Sequence, residues 1–452
     1  MMVLKILLGL VGLGVVVFVH ELGHFLAARL VGIDVEAFSI GWGKPVLKKK
    51  IGAVEYRIGM FPLGGYCKMR GEAEFQDAYE NNRREIAPKR GTYYGASPWK
   101  RILVSFAGPL FNLIFAVIVF SCIWGIGFEV HTMGNRIVRV SDVVPGEGYP
   151  ADEAGLLTGD RIVRIDRRPI EYYHDIQEEI AINAEKELSL TVEREGRTVD
   201  LTIRPRLEKS TGAGKIGVYY WADPVVRSVA EGSPAERAGL RKGDRIIRAN
   251  GEDLPYTVAM LRILADRPPV LSLEYEREGR IERADLPLVY AEGGTADPGI
   301  GYESLQYRTQ GLSPLGAVVK GTGEAWKTLA VSVRSLSLLF RGIDLTQAVS
   351  GPVRITYMVG DAAAEGFGQS IGTGISSMAN FLALISIALC IMNLLPLPIL
   401  DGGMIILFIV EALRGHPLHP KAVSAFQTVG VVLIFGLMIF AVFGDILFLV
   451  RR

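Results

Sequence analysis

The amino-acid sequence predicts a polytopic α-helical membrane protein with four spanning helices and two small β-rich domains between the second and third spans. The first observation is that the hydrophobic residues, 49% of the 452-residue chain, are bunched into four long runs. Each run approaches the ~20 residues that a helix needs to cross a bilayer. The second observation is an internal repeat in the polar region that separates runs two and three.

The four apolar runs cover residues 6–28, 102–126, 378–400 and 425–448. The first run could instead be a cleaved signal peptide, because Lys5 precedes it. However, the run is long and ends in HELGH rather than in a small-residue cleavage site. All four runs are also longer than most buried helices of soluble domains. We therefore interpret them as membrane spans.

The distribution of basic residues predicts the orientation of the spans. The segment between spans one and two is rich in lysine and arginine, including Lys48, Lys49, Lys50, Lys100 and Arg101. The positive-inside rule places such a segment in the cytoplasm, so the N-terminus and the region 129–377 are expected outside. The final pair, Arg451 and Arg452, falls outside in this arrangement, against the rule.

Charge and cysteine counts argue against nucleic-acid-binding proteins and against proteins stabilised by disulfides or cysteine metal sites. The chain has 49 basic and 48 acidic residues, whereas nucleic-acid-binding proteins show a basic excess. The three cysteines Cys67, Cys122 and Cys390 are an odd number, and two of them lie in apolar runs. This pattern indicates neither a disulfide framework nor a cysteine metal site.

The repeat predicts two similar domains. PADEAGLLTGDRIVRID begins at Pro150 and PAERAGLRKGDRIIRAN begins at Pro234, an offset of 234 − 150 = 84 residues. Each copy continues into alternating apolar and polar residues around a Glu-Gly-Arg turn, as expected for paired strands. We expect two domains of ~80 residues, mostly β with one or two short helices.

These observations divide the chain into five predicted segments. They are the first half of the membrane core, two repeat domains, a linker with an amphipathic helix, and the second half of the core, at residues 1–128, 129–208, 209–292, 293–375 and 376–452. The helix from Ser313 carries Lys320, Glu324, Lys327 and Arg334 on one face. Such a helix can lie in the membrane interface or pack on its own protein.

The stretch VVVFVHELGHFLAARL, from Val15, places two histidines and a glutamate inside the first span. Ionisable side chains are costly there and are usually functional. His20 and His24 are four residues apart, so both imidazoles lie on one helix face and can bind one metal ion. Glu21 lies beside them and can accept a proton from water. The alternative is a pair of histidines that only pack between helices.

A catalytic zinc ion usually takes three protein ligands, so a third His, Asp or Glu is needed at the depth of His20. Asp401, in NLLPLPILDGGMI, is the candidate. Spans one and three are expected to run in the same direction, and Asp401 follows the third span where Pro396 and Pro398 break it. The alternative is that Asp401 caps a helix before Gly402.

The combination of FVHELGH and LPLPILDGG resembles the two motifs of the site-2 protease family of intramembrane zinc metalloproteases. Further matches are FSIGWGK, EYRIGMFPLGGYCKM, AGPLFN and SGPVRI, so the resemblance covers nearly the whole chain. The repeat resembles tandem PDZ domains of the circularly permuted bacterial kind. The chain is most similar to the bacterial regulator of sigma-E protease type, with four spans and two extracytoplasmic PDZ domains.

The resemblance implies roles for individual residues. His20, His24 and Asp401 would hold one Zn²⁺ per chain, and Glu21 would be the general base. Gly41 and Gly43 match a re-entrant β-hairpin that pairs with an unwound substrate. The residues that match the family's NxxPxP element, which helps to hold substrate, are Asn393, Pro396 and Pro398.

The implied function is intramembrane proteolysis of single-span membrane proteins, such as anti-sigma factors and remnant signal peptides. The enzyme would lie in a bacterial inner membrane, with the active site toward the cytoplasm and the PDZ domains outside. It would act after a site-1 type protease has removed the outer part of the substrate, and the PDZ pair would be a size filter. The repeats lack an obvious GLGF loop, so peptide binding stays open, and residues 72–90 have no assigned role.

Two other functions are compatible with parts of the sequence. A catalytically inert membrane PDZ scaffold would have no need of Glu21 as a base. A metal transporter would usually show paired broken spans in repeated halves, whereas here only the β-rich domains repeat.

Overall fold

The computed structural model describes residues 2–450, except 84–85, 87–88, 145, 147, 209–211, 291–295, 303–304, 339–350, 352–353, 356, 359, 361–365 and 368–370. The described chain divides into two units. The membrane unit comprises residues 1–128 and 309–452, and the repeat unit comprises residues 129–308. Arg451 and Arg452, and Ser350, Pro352 and Val353 of the SGPVRI match, lie outside the described residues.

The first part of the membrane unit contains α1 (Met2–Leu30), β1 (Val35–Ile51), β2 (Val54–Met69), α2 (Glu72–Glu80) and α3 (Pro98–Ile126). The repeat unit contains β3 (Glu129–Thr132), β4 (Ile137–Arg139), α4 (Pro150–Glu153), β5 (Arg161–Ile165), β6 (Arg168–Pro169), α5 (Tyr173–Ile182), β7 (Leu188–Arg194), β8 (Arg197–Ile203), β9 (Arg206–Leu207), β10 (Gly214–Lys215), β11 (Val218–Tyr220), β12 (Val226–Val229), α6 (Pro234–Arg237), β13 (Arg245–Ala249), β14 (Glu252–Asp253), α7 (Met260–Ala265), β15 (Val270–Arg277), β16 (Arg280–Pro287), β17 (Ile300–Tyr302) and β18 (Leu305–Arg308). The membrane unit resumes with α8 (Pro314–Leu338), α9 (Ile371–Leu394), α10 (Asp401–Arg414) and α11 (Pro420–Val450).

Four helices of the described residues are long and apolar enough to cross a membrane. The candidate spans are Leu7–Leu30, Pro98–Ile126, Ile371–Leu394 and Pro420–Asp445. They correspond to the four apolar runs, and most side chains of the last span are exposed, as expected for a helix that faces lipid.

The third span differs from the run at 378–400. Helix α9 begins at Ile371 and ends at Leu394, six residues before the end of that run. Pro396 explains the early end, because proline lacks a backbone N–H and disfavours helical geometry at the residue before it. The polypeptide then forms α10, a separate helix that the sequence does not predict.

Helix α3 is central in the membrane unit, because it contacts α1, α8, α9 and α10. Close approach depends on small residues. A Cβ at Gly23 of α1 would overlap the carbonyl oxygen of Ala107 on α3. On the other side of α3, Ala116 is fully buried in a cluster with Ala325 of α8 and Ala383 of α9. The helix that carries the HExxH motif is therefore packed directly against α3.

Helix α8 packs on its own unit through one face. Gly321 lies against Ser121 of α3, and Ala317 and Ala325 are buried. Several of its other apolar side chains, including Val319 and Trp326, are exposed. Packing on its own protein is therefore present, and a position of this helix in the membrane interface stays a prediction.

Strands β1 and β2 form an antiparallel hairpin directly after α1. The turn between the strands uses Gly52 at a positive φ of 63°, which glycine adopts without strain. Phe38 of β1 is buried against Phe25 of α1, with ring centroids 5.4 Å apart, so the hairpin is fixed to the HExxH helix. The predicted β-hairpin is present, and its entry into the bilayer stays a prediction.

The repeat unit contains two antiparallel four-stranded sheets, with strand orders β6-β5-β7-β8 and β14-β13-β15-β16. We call β4 to β11 the first repeat domain and β12 to β17 the second repeat domain. The two PAxxAGL segments form α4 and α6, and the two GDRI segments lead into β5 and β13. Strands β10 and β11 follow residue 208 in the sequence and pair with β9 and β4. Each domain has its own core of buried aliphatic side chains.

Candidate metal centre

Three predicted ligands from two distant parts of the chain meet in the membrane unit. His20 and His24, on α1, are 8% and 9% exposed, and Asp401 is the first residue of α10. The two histidine Nε2 atoms are 3.2 Å apart. The Asp401 carboxylate lies 3.3 Å from His20 Nε2 and 3.5 Å from His24 Nε2. No other group of three or more metal-binding side chains was found among the described residues.

This arrangement fits a zinc ion on two independent grounds. Tetrahedral zinc with nitrogen and oxygen ligands at ~2.0–2.1 Å places the ligand atoms ~3.3–3.4 Å from one another. The two histidine Nε2 atoms, 3.2 Å apart, have this spacing, and each lies close to a different oxygen of Asp401: His20 Nε2 is 3.3 Å from Oδ2, and His24 Nε2 is 3.5 Å from Oδ1. Furthermore, Asp401 Oδ2 is buried and has no hydrogen-bond partner among the described residues. A buried carboxylate oxygen without a partner is costly, and a cation would satisfy it.

Helix α3 supports both histidines from one side. His24 Nδ1 donates to the carbonyl oxygen of Val104 at 2.8 Å, so its hydrogen is on Nδ1 and the Nε2 lone pair is free to bind a metal. The buried Asn112 side chain lies 3.2 Å from His20 Nδ1. Gly108, between them, has no side chain to obstruct the rings, and a Cβ there would overlap His24 Nε2.

The loop before α10 presents Asp401 to the histidines. A Cβ at Gly402 or Gly403 would overlap carbonyl oxygens of Leu394, Leu395 or Leu397, so only glycine lets the loop fold over the start of α10. The N-cap of this helix is Leu400, and Asp401 is its first residue. The carboxylate therefore points at the histidines instead of acting as the N-cap that the alternative required.

Glu21 lies beside the two histidines and contacts the hairpin. The backbone N–H of Cys67, on β2, faces its carboxylate. A Cβ on Gly65 would lie 3.1 Å from Glu21 Cγ, so glycine allows β2 to pass directly over this side chain. The hairpin thus forms one wall next to the expected general base.

The five predicted substrate-binding residues occupy two segments. Gly41 and Gly43 lie in β1 at positive φ angles of 83° and 90°. Gly41 follows Ile40, which pairs with Gly65, so this irregular part of the strand begins next to Glu21. In the other segment, Asn393 belongs to the last turn of α9, and Pro396 and Pro398 belong to the loop that leads to Asp401.

Sequence reasoning missed the supporting residues. Val104, Gly108 and Asn112 lie on one side of α3, and Gly65 lies on β2. The motif AGPLFN contains two of them, and a buried asparagine in a membrane span could have been a signal. The carbonyl of Val104 and the contact of Gly65 had no signal, because both depend on how α1 packs against distant segments.

Comparisons with known proteins find relatives over nearly the whole chain. A model of the family described as "Peptidase family M50" matches residues 8–437. A protein of Treponema pallidum named "Putative zinc metalloprotease" is 38% identical over 447 residues, which cover 99% of each chain. The "Regulator of sigma-E protease RseP" of Escherichia coli is 29% identical over 467 residues, which cover 96% of this chain and 97% of that relative.

A solved structure resembles one part of the chain. The PDZ domain of the SdrC-like protein from Listeria monocytogenes matches 19% of this chain and 90% of its own, with 22% identity and a TM-score of 0.17. So slight a likeness carries no argument. The family model and the Treponema relative, in contrast, each cover nearly all of the sequence. The chain therefore belongs to peptidase family M50 and is a zinc metalloprotease.

Proposed function

We propose that this protein cleaves peptide bonds of single-span membrane proteins within or at the edge of the bilayer. The observation that supports this most strongly is the position of His20, Glu21 and His24 on α1, a helix long and apolar enough to cross a membrane. A protease whose active-site helix is also a membrane span meets its substrates inside the membrane. The proposed substrates are anti-sigma factors and remnant signal peptides.

His20, His24 and Asp401 would hold one zinc ion per chain. When bound, zinc lowers the pKa of water and polarises the scissile carbonyl. Glu21 then accepts the proton of the attacking water and returns it to the leaving amine, as a general base and acid. The Cys67 N–H orients the Glu21 carboxylate beside the histidines.

The hairpin supplies a binding mode for the substrate. A membrane helix keeps its carbonyl groups in its own hydrogen bonds, so it must unwind before hydrolysis. An unwound segment can replace those bonds by adding as a strand to the edge of β1 near Gly41 and Gly43. Asn393, Pro396 and Pro398 would contact the same segment from the loop before Asp401. We propose that this part of the hairpin enters the bilayer.

The proposed setting is a bacterial inner membrane, with the metal centre toward the cytoplasm and the PDZ-like repeat unit outside. Substrates would first be shortened by a site-1 type protease. The repeat unit would then act as a size filter that excludes uncut substrates. Deletion of residues 135–290 should allow uncut substrates to be cleaved, whereas unchanged discrimination would overturn the filter.

The function is tested with the purified full chain in detergent and a single-span model substrate. Wild type should cleave it, and cleavage should fall to background in Glu21→Gln and in wild type with a zinc chelator. Zinc returned to the chelated sample should restore cleavage. Product that persists in Glu21→Gln would overturn the role of Glu21, and product that persists without zinc would overturn the metal mechanism.

The inert membrane scaffold is the second candidate. It would be favoured if wild type with zinc bound released no product from any shortened single-span substrate. The described geometry favours the protease, because Glu21 lies beside the two histidines and a structural metal site needs no base.

A further inference from the structure

One buried polar side chain next to the metal centre has no role in the proposed mechanism. Asn112 is fully buried on α3, inside a candidate membrane span. Its amide contacts His20 Nδ1 at 3.2 Å, and the other amide atom has no hydrogen-bond partner among the described residues. Burying a polar amide in a membrane span is costly unless its hydrogen bonds compensate for the lost water. We therefore ask what the contact with His20 contributes.

The hydrogen on His20 decides which amide atom makes this contact. If His20 Nε2 offers its lone pair to zinc, the ring hydrogen must be on Nδ1. Nδ1–H can only donate, so Asn112 must present its oxygen. The oxygen and nitrogen of an amide exchange places by rotation without changing the outline of the side chain. Either orientation leaves one amide atom without a partner, so the bond to His20 determines the orientation.

We infer that Asn112 is a positioning residue, which accepts a hydrogen bond from His20 Nδ1–H and thereby holds the imidazole with Nε2 toward the metal. This inference rests on the proposed zinc site. Helix α3 then supplies an acceptor for each histidine, the Val104 carbonyl for His24 and the Asn112 side chain for His20. Outer partners of this kind fix ring orientation, and their loss typically weakens metal binding ~10–100-fold.

The position of Asn112 is itself fixed from a third helix. Ser386 Oγ, on α9, donates to the backbone oxygen of Asn112 at 3.0 Å, and Ser386 is fully buried. This bond holds the backbone of α3 and does not touch His20. Ser386→Ala is therefore a matched control, since it removes a buried hydrogen bond at the same residue but leaves the amide in place.

The test measures zinc affinity of the full chain in detergent, by competition with a zinc chelator of known affinity. Asn112→Leu keeps the size of the side chain and removes the acceptor, so zinc binding should weaken ~10–100-fold. Asn112→Asp keeps an acceptor and cannot donate when ionised, so it should bind zinc within about threefold of wild type, since its charge also favours the cation. Ser386→Ala should bind zinc as wild type does.

Two results would overturn the inference. The first is wild-type zinc affinity in Asn112→Leu, and the second is an Asn112→Asp variant that binds zinc as weakly as Asn112→Leu. Asn112→Ala replaces Asn112→Leu if the latter does not fold. A second readout separates positioning from damage to the fold, because cleavage by Asn112→Leu should recover when zinc is raised above its new dissociation constant. Failure of the protease function would instead appear as no cleavage by the zinc-loaded wild type, which zinc affinity does not report.

Discussion

Aspartates that are buried or nearly so have opposite surroundings in the two units. In the repeat domains, Asp160 and Asp244 are each 1% exposed and occupy equivalent positions, 84 residues apart. Arg194 donates two bonds of 2.8 Å to Asp160, and Arg277 donates two bonds of 2.7 Å to Asp244. In the membrane unit, Asp401 has one oxygen without a hydrogen-bond partner among the described residues.

The difference separates structural charges from a binding site. The membrane unit also pairs its structural charges, because the buried Arg101 on α3 donates two hydrogen bonds to Glu411 on α10. The missing hydrogen-bond partner of Asp401 is therefore specific to this site, since another buried acid of the same unit is paired. Where a buried carboxylate oxygen has no hydrogen-bond partner and lies beside two metal-binding rings, a cation is the missing partner.

The largest effect should follow from removal of the Asp401 charge. Asp401→Asn should lower zinc affinity by more than the ~10–100-fold typical of outer partners, because it removes a direct ligand, and cleavage should fall to background. Zinc content and cleavage of the purified chain measure this. The matched control is Asp244→Asn, which should keep zinc and cleavage and only destabilise the second repeat domain. Equal zinc content in Asp401→Asn and wild type would show that Asp401 is not a zinc ligand.

The Arg101 and Glu411 pair should behave as a buried structural ion pair. Arg101→Leu leaves Glu411 buried without its partner and should destabilise the membrane unit by ~3–5 kcal/mol. The double variant Arg101→Leu with Glu411→Leu should recover most of this loss, since two apolar side chains can replace a buried pair. Thermal unfolding in detergent checks both. If Arg101→Leu is as stable as wild type, the ion pair is not structural, and the proposed difference between Glu411 and Asp401 is wrong.

The smallest effect should appear as a pH dependence of the second repeat domain. Burial opposes ionisation of Asp244, but the hydrogen bonds from Arg277 and from the Arg241 backbone N–H hold its pKa below the usual value. The stability gained from this pair should be complete above about pH 4 and should be lost as the pH falls through the lowered pKa. Amide hydrogen exchange of β15, corrected for intrinsic rates, should show this loss. Arg277→Leu should abolish that part of the pH dependence, and an unchanged profile in the variant would contradict the assignment.

The sequence predicted features that depend on local spacing. The i, i+4 histidines determine one helix face, and the 84-residue repeat determines two similar domains. The third ligand, Asp401, also followed from chemistry, because few acids lie at the end of an apolar run. Gly402 and Gly403 were visible in the sequence as part of a motif. The sequence did not show that a side chain at either position would overlap the backbone of the preceding loop.

Other features depend on long-range packing and could not be predicted. The contact between Asn112 and His20 joins residues 92 positions apart, and it exists only because α1 and α3 pack closely at Gly23 and Gly108. Helix α10 is short and begins after two prolines, so a pattern of apolar residues merges it with the preceding span. For the same reason, the apolar run continues six residues beyond the end of α9 at Leu394.

The most direct test of the metal centre is zinc X-ray absorption spectroscopy of the purified wild-type chain. Two histidine nitrogens and one or more oxygens predict a first shell of nitrogen and oxygen at ~2.0–2.1 Å, with imidazole scattering and no sulfur. A shell at ~2.3 Å would indicate a thiolate ligand such as Cys67 and would contradict the assignment of His20, His24 and Asp401. Loss of the imidazole signal in His20→Ala with His24→Ala, at equal protein concentration, would confirm that the spectrum reports this site.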